Sequence, residues 1–209
     1  MLESVRGYLS SFGKIGEKEE DILKAMKFVD RANFVEPDFK NGQYLDIALP
    51  TKDGQTISQP STVARMLQLL DLKKGDKVLE VGAGSGWNAG LIGFLAGESG
   101  HVLSLEIVDF LVKKARKRIQ ILGVKNIEIK NIDFRKLNDV KFDKIIFTAG
   151  ISSNQNFFIL DYAKKHLVKN GILICPHKLG SLIILKRKEG KFEERYTKEQ
   201  YSFVPLILN

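Results

Sequence analysis

One glycine-rich run and three acidic residues carry most of the chemistry that this sequence offers. Leu79-Glu80-Val81-Gly82-Ala83-Gly84-Ser85-Gly86-Trp87 closes one apolar stretch and opens another. A glycine-rich turn between a strand and a helix lets a ligand come close to the backbone. A dinucleotide fingerprint, G-x-G-x-x-G, needs its third glycine at position 87. That position is Trp87, and the glycines fall at 82, 84 and 86. No Lys-Ser/Thr pair follows Gly86, so the run is not a phosphate loop either. It suits a nucleoside-like ligand without a pyrophosphate. Glu80, Glu106 and Asp133 recur at intervals of 26 and 27 residues, about one strand–helix–strand unit each. In a parallel sheet such acids gather at the carboxyl edge, where ligands bind. An acid after the second strand can accept hydrogen bonds from a ribose diol. One after the third can accept from an exocyclic adenine amine. The negative charge suits a ligand that carries an ammonium and a sulfonium. S-adenosylmethionine has all of these groups.

The elements that must position these residues follow from periodicity. Residues 18–30 predict an amphipathic helix with Ile22, Leu23, Met26 and Val29 on one stripe. Residues 36–60, with Pro37, Gly42, Pro50, Gly54 and Pro60, read as loop-rich. A helix is expected from near Ser61 to about Leu72. Strands are then expected at 77–81, 101–105, 127–129, 144–148 and 172–175. They alternate with helices at 88–96, 110–122 and 157–167. Further strands are expected at 181–187 and 201–206. Lys188-Glu189-Gly190-Lys191 leaves no room for a crossover helix, so strand pairing there should be antiparallel. The expected fold is α/β and Rossmann-like: a doubly wound, mostly parallel sheet of about seven strands, an antiparallel C-terminal edge, and helices on both faces.

Residues 77–149 resemble a class I S-adenosylmethionine-dependent methyltransferase. The likeness tightens outside that core. Gly54-Gln55-Thr56-Ile57-Ser58-Gln59-Pro60 is similar to the signature loop of the protein-L-isoaspartate O-methyltransferases. Arg31-Ala32-Asn33-Phe34-Val35 upstream resembles the segment that precedes that loop. Phe142-Asp143-Lys144-Ile145-Ile146-Phe147-Thr148-Ala149, Pro176 and Phe203-Val204-Pro205-Leu206 follow in family order. The resemblance spans roughly residues 20–206. It implies methyl transfer from S-adenosylmethionine to the free carboxylate of L-isoaspartyl residues in damaged proteins, leaving S-adenosylhomocysteine. The ester then cyclises to a succinimide, a repair reaction. It further implies that Ser58 is the active-site serine and holds the substrate carboxylate. Thr56 and Ile57 would line the wall shared by substrate and cofactor. Glu80, Gly82, Gly84 and Gly86 would hold the methionine end. Glu106 would take the ribose and Asp133 the adenine, with the Phe134 backbone beside it. Three segments depart from the family pattern and would border the substrate: Asp53, the proline-free Gly150-Ile151-Ser152-Ser153-Asn154, and His177-Lys178-Leu179 after Pro176. One domain, 1–209, is expected. In it, 1–60 bears the substrate loop, 61–175 is the cofactor-binding core and 176–209 is hairpin-like.

Carboxyl methylation fits the rest of the composition. A side-chain carboxyl has a pKa near 4, so it arrives ionised and needs no general base. Alignment and exclusion of water are then the main tasks. Ser58 can serve as a donor, although Ser58 or Ser61 could equally cap the helix that begins near Pro60. The single cysteine, Cys175, permits no intrachain disulfide and reads as a core residue. His101, His166 and His177 are far apart, which argues against a histidine-rich metal site. Trp87 is expected to pack beside the loop. His177 reads as a solvated loop residue. The charge of +8 raises nucleic-acid binding. The basic residues are nevertheless spread out, with one denser run at Lys113, Lys114, Arg116, Lys117 and Arg118 that reads as a solvated helix face. No stretch reaches the ~18 apolar residues of a membrane span, and no secretory h-region opens the chain. A cytoplasmic monomer acting on isoaspartyl peptides and proteins is the expectation. The alternatives are a methyltransferase for a small molecule or tRNA, and a non-catalytic cofactor- or nucleic-acid-binding module.

Overall fold

The computed structural model of the chain describes residues 1–51 and 54–207. Asp53 lies outside the described residues. In chain order the elements are α1 (Leu2–Ser10), α2 (Glu17–Phe28), β1 (Leu49–Pro50), β2 (Thr56–Ile57), α3 (Pro60–Leu70), β3 (Lys77–Val81), α4 (Trp87–Ala96), β4 (His101–Glu106), α5 (Asp109–Leu122), β5 (Ile127–Asn131), β6 (Phe142–Phe147), α6 (Asn156–His166), β7 (Leu167–Pro176), β8 (Leu179–Gly180), β9 (Leu182–Arg187), β10 (Phe192–Tyr196) and β11 (Tyr201–Ser202).

Seven strands form the main sheet in the order β10-β9-β7-β6-β3-β4-β5. β3, β4, β5, β6 and β7 pair in parallel, whereas β7–β9 and β9–β10 are antiparallel. The chain winds outward from β3 to β5, crosses back, and continues from β6, so a crevice opens beyond the carboxyl ends of β3 and β6. The doubly wound, mostly parallel α/β sheet with an antiparallel C-terminal edge is the fold expected from periodicity.

Both faces of the sheet are buried, and side-chain alternation sorts residues between them. Val78 of β3, Val102 of β4 and Ile146 of β6 pack with Leu91 of α4 and Ile119 of α5. Their chain neighbours Leu79, Leu103 and Ile145 point the other way and pack with Ile159 and Ala163 of α6. Glu80 is two residues from Val78, so it lies on the α4 face.

Four expectations change. The first helix, α1, was not anticipated; it buries Val5 and Leu9. The 201–206 strand shrinks to β11, which pairs with β8, while Pro205 bridges Gly150. This stretch therefore runs over the carboxyl edge of the sheet and is not one of its strands. The basic face of α5 is only partly solvated: Lys114 and Arg118 both reach Glu36, itself 6% exposed, and Arg116 donates through Nε to the Ile129 carbonyl at 2.8 Å. His177 is 8% exposed and bonds Asn156 at 2.9 Å, so it is not a solvated loop residue. Cys175 is fully buried, and burial pushes its thiol pKa up. Among the described residues no helix is long and apolar enough to cross a membrane.

Candidate active site

The turn after β3 is shaped by positive backbone angles at Gly82, Gly84 and Gly86. Gly82 and Ala83 donate their N–H groups to the Leu105 carbonyl at 2.8 and 3.0 Å, which ties the turn to β4. Glu106, at the end of β4, closes the same turn: its carboxylate accepts from the N–H groups of Gly84 (2.9 Å), Ile107 (2.8 Å) and Val108 (3.1 Å). One acid thus organises the backbone around it and keeps lone pairs for a ligand's hydroxyls.

A cleft of about 980 Å³, counting its open mouth, lies over this turn. Gly82, Ala83, Gly84, Glu106, Ile107, Ile132 and Phe134 line it, and Thr56, Ile57, Ser58, Met66, Trp87, Asn88 and Thr148 complete the other side. Residues 203–207 form a further wall, brought there by backbone bonds between Gly150 and both Val204 and Leu206, each 2.8 Å.

Ser58 owes its place to a buried cation. Arg31 is wholly buried and donates to the carbonyls of Gln43 (2.9 Å), Leu45 (3.4 Å), Ile47 (2.9 Å) and Ser58 (3.2 Å). Its guanidinium also sits 5.5 Å from the Trp87 ring centroid, and Trp87 in turn donates to the Val29 carbonyl at 2.9 Å. Burial lowers the Arg31 pKa to about 10, so it stays charged at neutral pH. Asp46, in the loop gripped by Arg31, accepts from both the N–H and the hydroxyl of Ser61, at 2.8 and 2.6 Å. The N-cap of α3 is Gln59, with no side-chain cap of its own. Asp46 therefore meets the start of α3, which leaves the Ser58 hydroxyl free of capping duty.

The residues anticipated for the site divide in two. Thr56, Ile57, Ser58, Gly82, Gly84, Glu106 and Phe134 share the cleft. Glu80, Gly86 and Asp133 are not among its lining residues. At Gly86 a Cβ would meet the Cα of Ala115 at 3.3 Å, so its position is set by the close approach of α5. Asp133 is paired with Arg135 (2.5 Å) and caps the turn at Phe134–Lys136; Arg135 holds its carboxyl below the usual range. Asn88, Thr148 and residues 203–207 were not assigned roles from sequence. Asn88 was the most legible of these, because it is the first polar residue of the helix that follows the turn.

Glu80 is fully buried. It accepts from Asn88 Nδ2 at 2.8 Å and from the Ser104 hydroxyl, its partner in the β3–β4 register. Burial raises its pKa to about 7; the two hydrogen bonds oppose the shift and Glu106 adds to it. The unfolded chain releases this proton near 4.5, while the folded chain holds it to about 7. Between those values the folded state binds more protons. Stability therefore falls as the pH rises through this window, by about 3 kcal/mol in all, and is level above it. Glu80→Gln should abolish this fall. Urea midpoints at about pH 5 and about pH 8 check it: the parent should lose more stability between them than the variant.

The chain matches the model of the family described as protein-L-isoaspartate(D-aspartate) O-methyltransferase over residues 9–209. A protein-L-isoaspartate O-methyltransferase of Fervidobacterium nodosum is 40% identical over 191 residues, covering 88% of this chain and 92% of the relative. A solved protein-L-isoaspartate O-methyltransferase superposes with a TM-score of 0.79 at 25% identity, covering 100% of this chain and 67% of that one. A second solved structure, a Plasmodium falciparum protein in complex with S-adenosyl-L-homocysteine, has a TM-score of 0.78 at 24% identity, with 100% and 97% covered. The chain thus belongs to the protein-L-isoaspartate O-methyltransferase family.

Proposed function

We propose that this chain methylates the free carboxylate of L-isoaspartyl residues in damaged proteins, with S-adenosylmethionine as donor. The observation that carries this reading is that Ser58 of the GQTIS loop lines the same cleft as the glycine turn and Glu106. The cleft fits the cofactor. Glu106 has unused acceptor capacity for a ribose, and Ile107, Ile132 and Phe134 offer an apolar slot for the base. When bound, the cofactor supplies an electrophilic methyl group on a sulfonium.

The chain's own residues do the rest. A carboxylate and a sulfonium become a neutral ester and a neutral thioether, and no proton moves. The site accordingly needs no base. The Ser58 hydroxyl donates to one carboxylate oxygen and leaves the other directed at the methyl carbon. Ile57, Met66, Trp87 and Phe203 keep that region apolar, which strengthens the charge–charge attraction between the reactants. The end of the cleft over β6 and α3 is the substrate side, and the end over β4 and β5 is the nucleoside side.

Ser58→Ala removes one hydrogen bond to a charged group, worth about 1.5–3 kcal/mol. Methylation of an isoaspartyl peptide should fall roughly 10- to 150-fold, with S-adenosylhomocysteine binding unchanged. The reading itself is tested with labelled cofactor and two peptides that differ only in having an isoaspartyl or a normal aspartyl linkage. Transfer to the first alone is expected. Transfer to neither, or to both alike, refutes it.

A further inference from the structure

One buried side-chain oxygen on a residue of the cleft wall has no hydrogen-bond partner among the described residues. It is Oδ1 of Asn88, and it is shut off from solvent. The amide cannot simply be turned over. Its Nδ2 is bonded to Glu80 Oε1 at 2.8 Å, and the other Glu80 oxygen is taken by the Ser104 hydroxyl. With Glu80 ionised, above about pH 7, reversing the amide would set Oδ1 against a carboxylate oxygen. Ser104, Glu80 and Asn88 therefore form a chain in which each bond fixes the next, ending in an unmet acceptor on a residue that lines the cleft. Once ionised, Glu80 behind the amide polarises it and enriches Oδ1 in electron density.

We infer that Asn88 is a cofactor-positioning residue whose Oδ1 accepts a hydrogen bond from the α-ammonium of the cofactor's amino-acid tail. The inference rests on the reading that the cleft takes S-adenosylmethionine. Three observations fix the choice of donor. Asn88 belongs to α4, directly after the glycine turn, and lines the cleft together with Gly82, Ala83 and Gly84. The apolar slot for the base lies at the β4–β5 end, away from β6, so the tail extends over the turn toward Ser58. Glu80, fully buried and absent from the cleft wall, cannot touch the ligand. Its hydrogen-bonded link to the cleft wall is the amide of Asn88. The acid expected to hold the tail thus acts one residue removed.

The test is a two-by-two binding cycle read by titration calorimetry. Parent and Asn88→Leu are each titrated with S-adenosylhomocysteine and with its desamino analogue, which lacks only the ammonium. The variant should bind S-adenosylhomocysteine roughly 10- to 150-fold more weakly, the range for a hydrogen bond to a charged group. It should bind the desamino analogue as the parent does, which also reports that it is folded. Asn88→Ser, which is too short to reach, should behave likewise. Equal losses for both ligands would make Asn88 a structural residue. No loss for either, with a raised KM for peptide, would assign its oxygen to the substrate. Either result overturns the inference. If the parent binds neither ligand, the cofactor reading fails and takes the inference with it.

Discussion

Arg31→Met should be among the most damaging substitutions in the chain. The variant keeps the length and the apolar contact with Trp87 but strips four carbonyls, those of Gln43, Leu45, Ile47 and Ser58, of their common donor. Each buried acceptor left unmet costs about 1–3 kcal/mol, and water recovers part of that near the surface. A net loss of about 3–5 kcal/mol is expected, or roughly 10 °C in melting temperature for a chain of this size. Activity should fall further than stability. With the 43–47 loop released, Asp46 loses its place against Ser61, and the Ser58 backbone is no longer held at the cleft. Calorimetric melting together with peptide methylation at a temperature where the variant is folded would check both. A variant that melts like the parent and methylates like it would remove Arg31 from the account. Arg31→Lys is the informative companion: it restores the charge but not the fork that reaches several carbonyls at once, and should recover little.

Gly82→Ala should abolish ligand binding. Gly82 has φ of 102°, which an L side chain adopts only with strain, and a Cβ there would stand 2.2 Å from Thr148 Oγ1. Thr148 is not free to yield, because its hydroxyl donates to the carbonyls of Gly82 (2.6 Å) and Val81 (3.0 Å). Backbone strain and overpacking together should cost about 2–5 kcal/mol, with S-adenosylhomocysteine affinity down more than about 100-fold as the turn shifts. Gly84→Ala makes a contrast. Its φ is 50° and a Cβ there would meet nothing within 4 Å. The loss of stability should be about 1 kcal/mol. Equal melting temperatures for the two variants would show that the Thr148 contact is not what demands glycine at 82.

Much of this was legible from the chain because local rules and the global fold agree. β3 was placed at its observed bounds, Lys77–Val81, since an apolar run ending in glycines has few other readings. Spacing places Glu80, Glu106 and Asp133 at one edge, but spacing does not say which way a side chain points. Glu106 is the last residue of its strand and turns back onto the glycine loop. Glu80 lies one residue before the end of β3, and period-2 alternation puts it beneath α4. That alternation was available in Val78-Leu79-Glu80-Val81 and would have moved the acid off the rim. Other features were not readable. Arg31 joins segments 12 to 27 residues away through carbonyls, which leave no mark on side-chain patterning. The 201–206 segment has strand-like composition, and only the topology of the finished sheet sends it across the cleft instead.

The wall built from residues 203–207 sets an order of events during synthesis. The glycine turn, Glu106 and Ser58 leave the ribosome long before that wall exists. A nascent chain that holds every residue up to β10 has the floor of the site but lacks one side of it. Stabilisation by ligand scales with the affinity of the completed site, so it reaches only chains that already extend through residues 203–207, and shorter nascent fragments receive little of it.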